Sequence, residues 1–130
     1  MSIRKHLALA AAAAALVSGG VLTAPSAGAA APEAPQSAAA PGNCRPGNYC
    51  VYWDAGYRGR VFHFAGDNPS WARWAIFNDD SSSWNNGTTG RPVALFGEEN
   101  YVRQLGCLPR GQGWTQHRPN DDGESNRWRC

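Results

Sequence analysis

From Cys44 to Cys130 no stretch of the chain keeps an apolar face through two helical turns, because Gly, Pro, Asn, Asp and Ser interrupt it every few residues. A chain punctuated in this way orders as short extended segments joined by turns. Strands are expected near Tyr49 to Trp53, Arg60 to Phe64, Ser82 to Trp84, Pro92 to Phe96, Val102 to Leu105 and Arg127 to Cys130, and only Trp71 to Trp74 has room for a helical turn. All six Trp, four Tyr and four Phe of the chain fall in this part. With Val51, Val61, Val93 and Leu95 they are the material for a core. Two half-apolar sheets bury each other best face to face, so the expected class is an all-β sandwich.

What precedes this segment is of another kind. Arg4 and Lys5 are followed by an uncharged Ala/Leu run from Leu7 to Leu22 and by Ala27-Gly28-Ala29, a small-x-small cleavage site. Residues 1–29 therefore read as a secretory signal cleaved after Ala29. The run is mostly Ala and is broken by Ser18-Gly19-Gly20, too weak for a membrane span, so the mature chain is expected to carry none. Residues 30–43 are rich in Ala and Pro and read as an extended tether, which leaves 44–130 as the folded domain. Removal of the signal takes away Arg4 and Lys5 and leaves ten Arg against ten Asp plus Glu, a net charge of zero. Neutrality argues against nucleic acid as the principal partner, because phosphate binding needs a gathered basic surplus. Export also places Cys44, Cys50, Cys107 and Cys130 in an oxidising compartment, where four cysteines form two disulfides in one of three arrangements. A domain this small gains from such staples.

The two halves of the domain repeat one another. Tyr52 and Tyr57 are answered 44 residues later by Phe96 and Tyr101, and Asn78-Asp79-Asp80-Ser81-Ser82-Ser83 is answered 42 residues later by Asn120-Asp121-Asp122-Gly123-Glu124-Ser125. Tyr52-Trp-Asp-Ala-Gly-Tyr57-Arg58-Gly59 matches the aromatic-x4-aromatic-x-Gly signature, and Asn78 to Ser83 the Asn/Asp-Asn/Asp-x-x-Ser/Thr-Ser signature, of the βγ-crystallin Greek-key family, which the chain resembles. With the signal, the tether, the Cys pair before the first strand and Ser82-Ser83-Trp84-Asn85-Asn86, it is similar to the secreted βγ-crystallin-like peptidase inhibitors of actinomycetes, of metalloproteinase-inhibitor type. The resemblance implies a disulfide-stapled double Greek-key sandwich, motif one about 44–86 and motif two about 87–130. It implies a short Cys44–Cys50 bridge, which leaves Cys107 for Cys130. Two departures stand out in the second copy: Arg103 sits where the family has Gly, so that hairpin is expected to be re-shaped, and Glu124 stands where it has Ser or Thr.

The resemblance further implies Ca²⁺, held by Asp80, Ser82, Asp122 and Glu124, which are hard oxygen ligands of the kind calcium takes. The plain alternative is that these Asp and Ser residues only make Asx-type turns. Catalysis is not expected. His63 and His117 lie in no metal-binding spacing, there is no G-x-S-x-G elbow, and the thiols are better used in disulfides. Trp71, Trp74 and Trp114 fall in loop-like segments and are candidate partner contacts, with core filling as the competing use. The function implied is a monomeric, secreted inhibitor that blocks an extracellular protease with a rigid loop, either Ala65 to Phe77 or Leu108 to Pro119. A calcium-binding structural domain, or a cell-wall or carbohydrate-binding module using Trp, are the other readings.

Overall fold

The computed structural model describes residues 34–37 and 39–130, so the signal, its cleavage site and the first part of the tether lie outside the described residues. Two antiparallel sheets pack face to face. The first runs β1 (Gln36–Ser37), β7 (Gln112–Trp114), β4 (Ser82–Asn86), β2 (Asn48–Asp54) and β3 (Arg58–Phe64); the second runs β6 (Val102–Leu108), β5 (Val93–Glu98) and β8 (Ser125–Arg127). Among the described residues the fold is all-β as expected, with one 3-10 turn, Glu99–Tyr101, in the β5–β6 hairpin.

Strand β2 shows how the sequence builds both faces. Side chains alternate along a strand, so Tyr49 and Val51 enter the core between the sheets with Phe62, Phe64, Trp71, Leu95 and Leu108. Cys50 and Tyr52 point the other way, into a smaller cluster with Cys44 and Trp84 that covers the outer face. Cys44 is bonded to Cys50 and Cys107 to Cys130.

Each half completes the other's sheet. Strand β7, from the second half, pairs with β4 through Ser83 opposite Trp114 and Trp84 opposite Gly113. In return Asn68, in the loop after β3, bridges Asn126 of β8. This reciprocal crossing is the Greek-key connection.

Three expectations are corrected. The last strand is Ser125–Arg127 and not Arg127 to Cys130, because the Trp128 N–H is taken by Asp67 Oδ1 at 2.7 Å instead of by a neighbouring strand. Gln36–Ser37, read as plain tether, lies along Gln112 and Gly113 as a two-residue edge strand. The β5–β6 hairpin keeps the shape of its partner: Arg103 adopts φ 56 where the equivalent Gly59 has φ 74.

Candidate functional site

The two acidic–serine loops cross between the halves. The Asn78 N–H donates to Gly123 O at 3.0 Å and the Asp121 N–H to Asp80 O at 2.9 Å, while Asn78 and Asp121 share the left-handed backbone at φ 54 and φ 55. Ser82 Oγ accepts the Tyr57 N–H and donates to Asp54 O. Ser125 Oγ does the same with the Tyr101 N–H and Glu98 O. Ser125, not Glu124, is therefore the counterpart of Ser82, and Asp122 is the counterpart of Asp79. The repeat of these loops is 43 residues, one more than the sequence comparison gave, because the run Asn120-Asp121-Asp122 reads equally well in either register and only the hydrogen bonds choose.

The four expected calcium ligands do not come together as a cage. Asp80 is fully buried; its Oδ1 accepts the Gly123 N–H at 2.6 Å and its Oδ2 is paired with His117 Nδ1. The Ser82 hydroxyl is used in both directions, as above. Glu124 accepts Asn78 Nδ2 at 2.9 Å and the Glu99 N–H at 3.1 Å. Asp122 receives both ends of the Arg103 guanidinium, at 2.8 and 2.9 Å. Among the described residues no group of three His, Cys, Asp or Glu is arranged to hold a metal ion. These four residues do not converge on one point, and each already accepts an internal hydrogen bond.

His117 continues the Asp80 contact: its Nε2 lies 2.7 Å from Ser83 Oγ. Asp80, His117 and Ser83 thus stand in the order of an acyl-transfer relay, yet Asp80 and Ser83 have no exposed surface. His117 borders a cleft of about 210 Å³ with Leu105, Trp114 and Pro119, but Ser83 is not among its walls. The trio acts as a clamp between β4 and the 117–123 segment. Sequence reasoning missed it because the three residues carry no linear motif; they meet only across the β4–β7 seam.

The tryptophans expected at a partner surface are largely core. Trp71 has no exposed surface, stacks on Phe64 at 5.0 Å and donates its Nε1–H to Asn126 Oδ1. Trp114 is buried, and Trp74 is half-buried, edge-on to Phe64 with Arg73 over its ring. In a domain with few aliphatics the aromatic rings are needed as filling. The rings of both nominated loops turn inward, while Ala65 to Asp67, Ala72 and Arg73 in the first and Pro109, Arg110, Arg118 and Pro119 in the second stay exposed.

The turn from β4 to β5 is different. Thr88, Thr89, Gly90 and Arg91 are all exposed, and the base beneath them is fixed. Asn85, fully buried, accepts the Gly87 N–H on Oδ1 and donates from Nδ2 to Arg91 O and Leu108 O, each at 3.0 Å or less. Arg110 Nε donates to Gly87 O at 2.7 Å. A Cβ on Gly87 would meet Trp128 at 2.6 Å, so the strand end packs under that ring only as glycine. One buried amide thus holds both ends of an exposed loop. Beside it, Asn86 Nδ2 donates to Cys44 O, next to the Cys44–Cys50 staple.

The model of peptidase inhibitor family I36 matches residues 37–108, more than half of the chain and including this loop. No curated protein matches in sequence. Among solved structures the chain is similar to one described as "Evolution of the eye lens beta-gamma-crystallin domain fold", at 15% identity over 68% of this chain and 90% of that one, with a TM-score of 0.59. It is also similar to a βγ-crystallin from Ciona intestinalis, at 12% identity over 64% of this chain and 100% of that one (TM-score 0.55), and to an archaeal βγ-crystallin, at 17% over 65% and 99% (TM-score 0.53). At these identities the likeness is one of fold.

Proposed function

The chain belongs to peptidase inhibitor family I36, and from that membership we propose that it is a secreted inhibitor of an extracellular metalloprotease whose contact is the loop Gly87 to Pro92. It is an inhibitor-family protein and not an enzyme. Secretion is supported by the two disulfides, which persist in oxidising compartments.

The observation that carries the choice of loop is the Asn85 side chain under it. A loop offered to a protease cleft binds tightly when it loses little freedom on binding, and a buried amide bonded to both loop ends holds it in place beforehand. The same bonds would keep a nicked loop's ends together, which favours re-formation of a complex over release. The metalloprotease class rests on the family resemblance, and serine proteases are its comparison. The carbohydrate-module reading has less support, since Trp71 and Trp114 are buried, while Trp74 is half-buried with Arg73 over one face of its ring.

The test is titration of the folded protein against extracellular metallo- and serine proteases. Stoichiometric, reversible inhibition of a metalloprotease is expected. Replacing Thr88, Thr89 and Arg91 together by Ala should weaken it by about tenfold or more with the melting temperature unchanged. Replacing Trp74 by Ala should leave inhibition within about twofold. If the triple variant inhibits like the parent, the loop assignment falls; if no protease is slowed at micromolar protein, the inhibitor reading falls.

A further inference from the structure

Arg103 combines two features. It holds φ 56, a left-handed conformation in which glycine is at ease and side-chain-bearing residues are not, at the place where the first motif has Gly59. Its head group is also surrounded by oxygen. The guanidinium meets Asp122 Oδ2 at 2.8 Å, Asp122 Oδ1 at 2.9 Å, Gly97 O at 2.7 Å and Glu98 Oε1 at 3.3 Å. Gly97 makes room for it, since a Cβ there would collide with the guanidinium. Two carboxylates and a main-chain carbonyl aimed at one point form a hard oxygen set, and here that point is filled by the chain's own positive charge. The hydrogen bond to Asp122 also raises the Arg103 pKa above its ordinary value, with the Asp122 and Glu98 charges adding and desolvation opposing.

We infer that Arg103 is the resident cation of the second motif: its guanidinium joins the β5–β6 hairpin to the Asp121–Ser125 loop as a divalent cation among the same oxygens would, and so makes this motif independent of calcium. A surface ion pair between flexible side chains would explain the Asp122 contact alone. It would not explain why the same guanidinium also takes a main-chain carbonyl and a second carboxylate. The inference does not rest on the inhibitory reading, and its test does not use a protease.

Arg103→Gly removes the guanidinium and at the same time suits the backbone. Melting temperature in chelator alone is therefore a poor readout, because relief of φ offsets loss of the ion pair. The informative quantity is the rise on adding calcium. For a site occupied at about ten times its dissociation constant and only in the folded state, Arg103→Gly should gain roughly 5–10 °C in 10 mM CaCl₂ relative to chelator. The wild type should gain less than about 2 °C. Adding Asp122→Asn to Arg103→Gly should abolish the gain, and calorimetric titration with CaCl₂ should show one site in Arg103→Gly that the double variant lacks. If Arg103→Gly does not fold in chelator, recovery of its near-ultraviolet circular dichroism on adding calcium is the expected result. Absence of any calcium response in Arg103→Gly, a response that survives Asp122→Asn, or an equal response in the wild type would each overturn the inference.

Discussion

Asp80 has no exposed surface, and both of its oxygens are engaged: Oδ1 accepts the Gly123 N–H and Oδ2 is paired with His117 Nδ1. Removing one side of such an arrangement strands the other. Asp80→Ala leaves both donors unpaired and should cost about 3–5 kcal/mol. Asp80→Asn keeps one acceptor, and a His117 tautomer change lets the new amide N–H and Ser83 be satisfied, so its cost should be about 1–3 kcal/mol. Chemical denaturation that finds Ala no worse than Asn would refute the clamp. Asp121 makes the opposite case. Desolvation, then the charges of Asp79 and Asp80, raise its carboxyl above the usual range. A raised acid penalises the folded chain once ionised, so the stability present with the proton on is lost as pH rises through the folded value. Asp121→Asn, which tolerates φ 55, should therefore stabilise at pH 7. After allowance for solvent screening of a largely exposed group the gain is about 0.5 kcal/mol. It should vanish below a pH of roughly 3.9; a gain equal at pH 7 and pH 3.5 would contradict it.

At the scale of elements, the seam between β4 and β7 depends on one missing side chain. A Cβ on Gly113 would run into the Trp84 and Tyr57 side chains and come within 2.8 Å of Ser83 O, which is backbone and cannot swing aside. Gly113→Ala should cost about 2–3 kcal/mol through overpacking. Gly90→Ala meets nothing and should cost only about 1 kcal/mol, from φ 76. Denaturation midpoints of the two variants measure the difference. This seam was also the least legible part of the chain. The β2–β3 and β5–β6 hairpins could be read from their turns and apolar alternation, since both are local. Strand β7 is three residues, Gln112–Trp114, and is a strand only because β4, distant in sequence, pairs with it. The one-residue error in the acidic–serine repeat has the same origin: Asp121 is aligned with Asn78 by crossed hydrogen bonds, which composition does not encode. The loop over Asn85 went unread because an Asn in a strand gives no sign that its amide will hold both ends of the turn that follows.

For the molecule as a whole, stability is a thin remainder, on the order of 4–13 kcal/mol for a domain of this length, so the two staples are a large share of it. Chain-entropy reasoning gives roughly 2.4 kcal/mol for the seven-residue loop closed by Cys44–Cys50 and roughly 3.4 kcal/mol for the longer Cys107–Cys130 loop. Position enlarges the difference. Cys130 ties the end of the chain to β6, and between them lie β8, only three residues long, and Trp128, whose ring covers Gly87 at the base of the exposed loop. Without that staple the last residues can leave the second sheet and uncover the loop's support; without the first, Cys44 and Cys50 loosen the outer cluster beside Tyr52 and Trp84 and the Asn86–Cys44 hydrogen bond, but leave the Asn85 bonds to Gly87 and Arg91 in place. Replacing Cys107 and Cys130 by Ala should thus destabilise by about 3 kcal/mol or more and weaken protease inhibition beyond what the lost folded fraction accounts for. Replacing Cys44 and Cys50 should cost about 2 kcal/mol, with inhibition following the folded fraction alone. Urea midpoints and inhibition measured on the same preparations decide it: if the Cys44–Cys50 variant is the less stable of the two, or if the Cys107–Cys130 variant inhibits fully whenever folded, then the second staple does not support the loop.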